Sequence, residues 1–123
     1  MYYKILPNGL TVIIDNINYL KRVSALLSVN VGVRHDPEKL QGLSHFLEHM
    51  VCEGTKTKGH ETSVLLNNVI AMVGGIKDAW TNYEYTTYGF TVLKDGLTTG
   101  LDVIADMIKN SIIDPLTIEK ERK

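Results

Sequence analysis

His45-Phe46-Leu47-Glu48-His49 reads as part of a helix that carries chemistry. Two residues four apart return to the same side of an α-helix after about 1.1 turns. At about 100° per residue, His45 and His49 lie about 40° apart, and Glu48 lies about 60° to the other side of His45. One narrow stripe thus holds two imidazoles and a carboxylate. That is a partial zinc site with an acid/base group beside it. The opposite arc holds Leu43, Phe46, Leu47, Met50 and Val51, an apolar face expected to anchor the helix.

The helix is expected from about Gly42 to Cys52. Before it, Asp36-Pro37-Glu38-Lys39 signals a loop. Further upstream, Val23 to Val33 reads as a long strand with Ala25, Leu27, Val29 and Val31 on one face. At the start, Tyr2 to Leu6 and Leu10 to Asp15 read as two strands joined by Pro7-Asn8-Gly9, strong hairpin-turn chemistry. After the helix, Glu53 to His60 is polar and bounded by glycine, a surface loop. A second helix is expected from about Glu61 to Val73, with Val64, Leu65, Val69, Met72 and Val73 as its stripe and Gly74-Gly75 as its stop.

Ile76 to Thr81 and Glu84 to Leu93 read as paired strands around an Asn82-Tyr83 turn. A third helix runs from about Lys94 or Asp95 to Asn110, with Leu97, Leu101, Ile104, Ala105 and Ile108 expected to be buried. Asp114-Pro115 is an N-cap followed by proline at the first helical position, so a fourth helix starts there. The fold class is therefore α+β: a mostly antiparallel sheet with helices packed on one face.

The chain has 123 residues, 44% apolar and 22% charged, which suits one small globular domain. A net charge of −1 with mixed signs gives no footprint for nucleic acid and no polybasic membrane patch. No apolar run reaches the length of a membrane span. Cys52 is the sole cysteine, so neither an intrachain disulfide nor a cysteine-based zinc cluster is available. The start runs directly into a strand and lacks signal-peptide or transit-peptide character, and a cytoplasmic setting is expected.

These residues resemble the start of the pitrilysin-type metallopeptidases, the family that includes insulin-degrading enzyme and the mitochondrial processing peptidase. The pattern His-x-x-Glu-His is the inverzincin motif. Gly42-Leu43-Ser44-His45-Phe46-Leu47-Glu48-His49-Met50, followed by Gly54-Thr55, is very close to the family's zinc-helix signature. Leu6-Pro7-Asn8-Gly9-Leu10 resembles its opening hairpin. Gly74-Gly75, Ala79-Trp80-Thr81 and Glu84-Tyr85-Thr86-Thr87-Tyr88 resemble its strand pair beside the site, although Asp78 stands where the family usually has Asn.

The resemblance implies a zinc-dependent endopeptidase acting on peptides or unfolded segments. His45 and His49 would bind Zn2+, and Glu48 would take a proton from the attacking water. The strand around Ala79, Trp80 and Thr81 would pair with an extended peptide substrate by β-addition. The family usually places two related halves around a closed chamber, which implies a second homologous half or a partner subunit. Its third zinc ligand, a Glu, would fall just past Lys123. Residues 1–123 are thus expected to be the N-terminal part of a single zinc-peptidase domain, cut inside its last helix, with little activity alone. Self-association into a homo-oligomer is expected from its incomplete sheet.

Other readings stand beside this one. Some members of the family are non-catalytic structural or partner subunits, and the third-ligand position would tell the two apart. A different hydrolase with the same motif, such as S-ribosylhomocysteine lyase, recruits a distant cysteine, and Cys52 is too near the motif for that. Cys52 is expected to be a small core hydrophobe. His35 and His60 read as solvated loop histidines, and Glu119 and Glu121 as a solvated helix face. Trp80, Tyr83, Tyr85 and Tyr88 are candidates for a groove lining, with packing as the simpler role.

Overall fold

The computed structural model describes residues 1–122. Strands β1 (Tyr2–Ile5) and β2 (Thr11–Ile14) form an antiparallel hairpin. The Pro7-Asn8-Gly9 turn closes as expected: the Gly9 amide donates to the Leu6 carbonyl, and the Leu10 amide donates to Asn8 Oδ1 at 3.1 Å. A second sheet holds β3 (Arg22–Val29), β4 (Ile76–Thr81) and β5 (Thr86–Leu93) in the order β3-β5-β4, all antiparallel. So the antiparallel expectation holds, but as two sheets.

The register places alternate residues of β5 on the helix side. Tyr88, Phe90 and Val92 join a core with Val51, Leu66, Ile70, Val103, Ile104 and Met107. Val23, Ala25, Leu27 and Ala79 pack beside them from the neighbouring strands. Four α-helices follow the chain: α1 (Leu43–Cys52), α2 (Ser63–Met72), α3 (Leu97–Asn110) and α4 (Pro115–Glu121). Among the described residues, no helix is long and apolar enough to cross a membrane.

Two strand boundaries differ from expectation by more than one residue. β3 ends at Val29, not Val33, because the amides of Val33 and Arg34 turn away to the carbonyls of Asn82 and Tyr83. The β4–β5 turn extends to Tyr85, because Asn82 Oδ1 accepts from both the Glu84 and Tyr85 amides. This is the side-chain turn that asparagine makes with the backbone ahead of it.

Two helices keep only part of the expected stripe: Val69 in α2 and Val73 just after it, and Leu97 and Ile104 in α3, do pack on the core, but the rest is rotated. In α2, Leu66 and Ile70 are fully buried, whereas Val64 and Met72 face outward. In α3, Gly100, Val103, Ile104 and Met107 are buried, while Leu101, Ala105 and Ile108 are exposed. The cause in α3 is Gly100. A Cβ there would sit 2.4 Å from Phe90 Cε2, so the bare backbone admits the ring and draws that face of the helix inward.

The connections carry α4 under α1. A bridge joins Thr55 to Ser111, the Lys56 amide donates to the Asn110 carbonyl, and the Ile112 amide donates to the Gly54 carbonyl. The exits of α1 and α3 are thereby stitched together. Asp114 then caps α4, its Oδ1 accepting from the Leu116 and Thr117 amides at 2.9 and 3.0 Å.

Candidate metal centre

The motif helix begins at a backbone position that only glycine adopts readily: Gly42 has φ +93°. It offers no side chain to the free amides of the first turn. Asp36 does so from the preceding loop. Its Oδ2 accepts from the Gly42 amide at 2.8 Å, and its Oδ1 accepts from the Ser44 amide at 2.9 Å and from the Ser44 hydroxyl. The Ser44 hydroxyl is the main reason that the Asp36 carboxyl lies below its ordinary range. A carboxylate at a helix N-terminus is also stabilised by the positive end of the macrodipole.

The anchoring of α1 corrects the apolar-arc expectation. Met50 and Val51 are buried, but Leu43 and Leu47 remain 42% and 46% exposed. The arc that enters the protein is Ser44, Glu48 and Val51, and Glu48 is only 7% exposed. A buried carboxylate is costly unless it is hydrogen-bonded. Thr81, on β4, meets that need: its hydroxyl donates to Glu48 Oε2 at 2.6 Å.

His45 and His49 stand on the exposed side of the same helix. Their Nε2 atoms face each other at 3.1 Å, with the rings nearly perpendicular at 76°. Ligand atoms of His45, Glu48 and His49 all lie within 4.8 Å of one another. Two imidazole nitrogens at tetrahedral angles around one zinc are roughly 3.3 Å apart. The 3.1 Å separation fits that requirement with little movement.

Glu121 is the main correction at the site. Its side chain is 17% exposed and does not lie on a solvated face. Its Oε2 lies 3.2 Å from His49 Nδ1. An ionised carboxylate only accepts, so Nδ1 is the donor, and in a neutral imidazole that leaves the lone pair on Nε2, the atom that faces His45. Glu121 therefore fixes the orientation of the His49 ring, and it sits on the opposite ring nitrogen from the one that faces His45. Lys120 holds this end of α4 to α1 through an ion pair with Glu53. Glu119 does remain on the solvated face, 3.5 Å from Arg122.

The strand residues divide by side. Ala79 and Thr81 face the helices with Tyr88 and Thr86, their partners across β4 and β5. Trp80 pairs with Thr87 and points to the opposite face. β4 is an edge of its sheet among the described residues. Tyr88 is a core residue and no groove lining, whereas Trp80, Tyr83 and Tyr85 are exposed. Cys52 packs against the core, as expected, and burial pushes its thiol up.

The other histidines lie outside the cluster. His35 Nδ1 accepts from the Gly32 amide at 3.1 Å. His60 corrects the solvated-loop reading: its Nδ1 donates to Asp106 Oδ2 at 2.8 Å, and the side chain is mostly buried. Asp106 also accepts from the hydroxyls of Thr55 and Thr57 and from the Asn110 amide group. Burial alone would raise the Asp106 carboxyl, but these four donors outweigh it and hold the carboxyl well below the usual range. Asp36, Glu121 and Asp106 all escape a reading of the sequence, because their partners lie 8, 72 and about 50 residues away.

Comparison with known proteins adds to this geometry. The sequence profile of the insulinase family (peptidase family M16) matches residues 11–123. A zinc protease of Rickettsia felis, itself uncharacterised, is 38% identical over 116 residues, which are 94% of this chain and 27% of that protein. The probable mitochondrial-processing peptidase subunit beta of Arabidopsis thaliana is 35% identical over 117 residues, covering 95% of this chain and 22% of the relative. The crystal structure of pitrilysin superimposes with a TM-score of 0.81 at 35% identity, over 98% of this chain and 13% of that one. A protease from Helicobacter pylori, 22% identical, shares the fold with a TM-score of 0.88 over 98% of this chain and 29% of its own. The chain spans about a quarter of the length of the curated relatives it matches.

Proposed function

The chain belongs to the insulinase family of peptidases, and from that premise we propose that residues 1–123 form the N-terminal part of one zinc-peptidase domain in a longer zinc-dependent endopeptidase. Its substrates are peptides or unfolded polypeptide segments. The observation that carries this reading is the buried Glu48 beside two exposed histidines whose Nε2 atoms converge to 3.1 Å.

His45 and His49 would hold the zinc. Zinc, when bound, supplies polarisation of the scissile carbonyl and acidification of a water. The protein's own groups do the rest. Glu48 takes a proton from the attacking water and returns it to the leaving amine. Glu121 keeps His49 in the tautomer that leaves Nε2 free. The backbone of Ala79, Trp80 and Thr81, on the edge strand, pairs with an extended substrate and fixes it without reading its sequence closely. A catalytic zinc takes three protein ligands, and two are supplied here. We place the third downstream of Glu121, because Glu121 already serves the far side of the His49 ring.

A second homologous half or subunit is part of the proposal. The relatives include proteins named as beta subunits of the mitochondrial processing peptidase. The β1–β2 hairpin bares Tyr3, Ile5 and Ile13, apolar surface that the rest of the longer protein, or a second copy, would cover.

The complete protein is expected to bind about one zinc per chain at this site. Glu121→Gln leaves both ligands in place but removes the charge behind His49. Zinc affinity, measured by competition with a chromogenic chelator, should fall about 10- to 100-fold. An unchanged affinity would refute the orienting role, and a wild-type protein that takes up no zinc would refute the function.

A further inference from the structure

We propose that Thr81 is a positioning residue for Glu48, and that its hydroxyl, backed by Thr86 and the Val31 carbonyl, fixes which carboxylate oxygen meets the attacking water. The inference rests on the reading of Glu48 as the base. It gives Thr81 a role separate from that of its backbone on the edge strand.

The observations form a chain from the base into the sheet. Glu48 Oε2 accepts from Thr81 Oγ1 at 2.6 Å. Thr81 Oγ1 lies 3.2 Å from Thr86 Oγ1, its direct partner across the β4–β5 ladder. Thr86 Oγ1 donates to the Val31 carbonyl at 3.0 Å, and Thr86 is 6% exposed. Each hydroxyl has a single proton. An ionised carboxylate can only accept, so the Thr81 proton goes to Glu48, and the Thr86 proton is committed to Val31. The Thr86 oxygen therefore has no proton to give to Thr81 and can only compete as an acceptor at 3.2 Å, and the shorter bond to the carboxylate holds the Thr81 proton on Glu48.

Two consequences follow for Glu48. Its Oε2 accepts a short bond from the Thr81 hydroxyl, and a hydrogen bond to an ionised acceptor is among the stronger kinds. The plane of the carboxylate is thereby set, and Oε1 is the oxygen left for the water. A base that is free to rotate loses the alignment on which proton transfer depends. Thr81 and Thr86 are the last antiparallel pair of the β4–β5 ladder, so both hydroxyls are carried on strand backbone.

The test compares Thr81→Val and Thr81→Ser in the complete zinc-loaded peptidase on a fluorogenic peptide. Valine keeps the shape and removes the donor; serine keeps the donor and removes a methyl. Thr81→Val should lower kcat about 10- to 100-fold with KM within about twofold and zinc content unchanged. Thr81→Ser should return kcat to within about threefold of wild type. If Thr81→Val does not fold, Thr81→Ala against Thr81→Ser makes the same comparison. The proposal is overturned if the valine variant keeps its kcat, if serine falls as far as valine, or if the loss appears in KM. Zinc-dependent cleavage by wild type that Glu48→Gln abolishes upholds the peptidase reading whatever Thr81 does. No cleavage by wild type removes that reading and the role of Thr81 with it.

Discussion

Glu48→Gln in the complete zinc-loaded peptidase is expected to lower kcat by about 100- to 10,000-fold while zinc content stays at wild type. The substitution is nearly isosteric. A glutamine carbonyl can still accept from Thr81, so the bond that anchors the side chain is retained. His45 and His49 stay on the opposite side of the stripe, and Glu121 still serves His49. What disappears is the group able to take a proton from water. The checks are steady-state cleavage of a reporter peptide and elemental analysis of the purified variant. A variant that loses zinc along with activity would mean that Glu48 acts as a ligand. One that cleaves normally would remove it from the chemistry altogether.

The second large effect is expected in stability, at Asp106→Ala. Thr55, Thr57, His60 and Asn110 all donate to this carboxylate, at 2.6 to 2.8 Å. The loop from Thr55 to His60 leaves the motif helix, and Asp106 ties it to α3. Thr55 is fully buried, so its hydroxyl cannot turn to water when the carboxylate goes. The cost should be about 3 kcal/mol. Hydrogen exchange of the Thr55, Lys56 and His60 amides, each bonded within this stitch, should quicken about 100-fold.

The pH dependence of the clasp has a defined sign. The Asp106 carboxyl is lowered in the folded state, so the unfolded chain binds its proton first as pH falls. The stabilisation is therefore fully present above the ordinary aspartate range, near pH 4, and is lost progressively below it as pH falls toward the native value. Wild type should show this acid-side loss, and Asp106→Ala should show a smaller one, which comes from the other lowered carboxyls such as Asp36. Exchange rates that are equal in the two proteins would show that the loop is held by other contacts.

Much of the chain is legible before any coordinates. His45, Glu48 and His49 share a stripe because the helical period requires it, and Pro7-Asn8-Gly9 and Asp114-Pro115 mark their turn and cap through local backbone chemistry. The helix stripes are less legible. In α3 the period places Leu101, Ala105 and Ile108 on one arc and Gly100, Val103 and Met107 on the next, and apolarity favours the wrong one. The decision comes from a glycine that admits Phe90, a contact between distant elements. Glu48 also inverts the simple rule that charged residues face water, because a threonine on β4 satisfies it. Glu121 is the clearest case. On its own helix it looks like one acid among charged neighbours, and only the path of the chain through Thr55 and Ser111 brings it to His49.

The central claim is that zinc sits between His45 and His49 within reach of Glu48. Anomalous diffraction from crystals of the complete protein, measured on both sides of the zinc absorption edge, tests this directly. The account predicts one strong peak per chain at bonding distance from both Nε2 atoms, with Glu121 on His49 Nδ1. A zinc peak away from these two nitrogens, or none in crystals grown with zinc present, would contradict it.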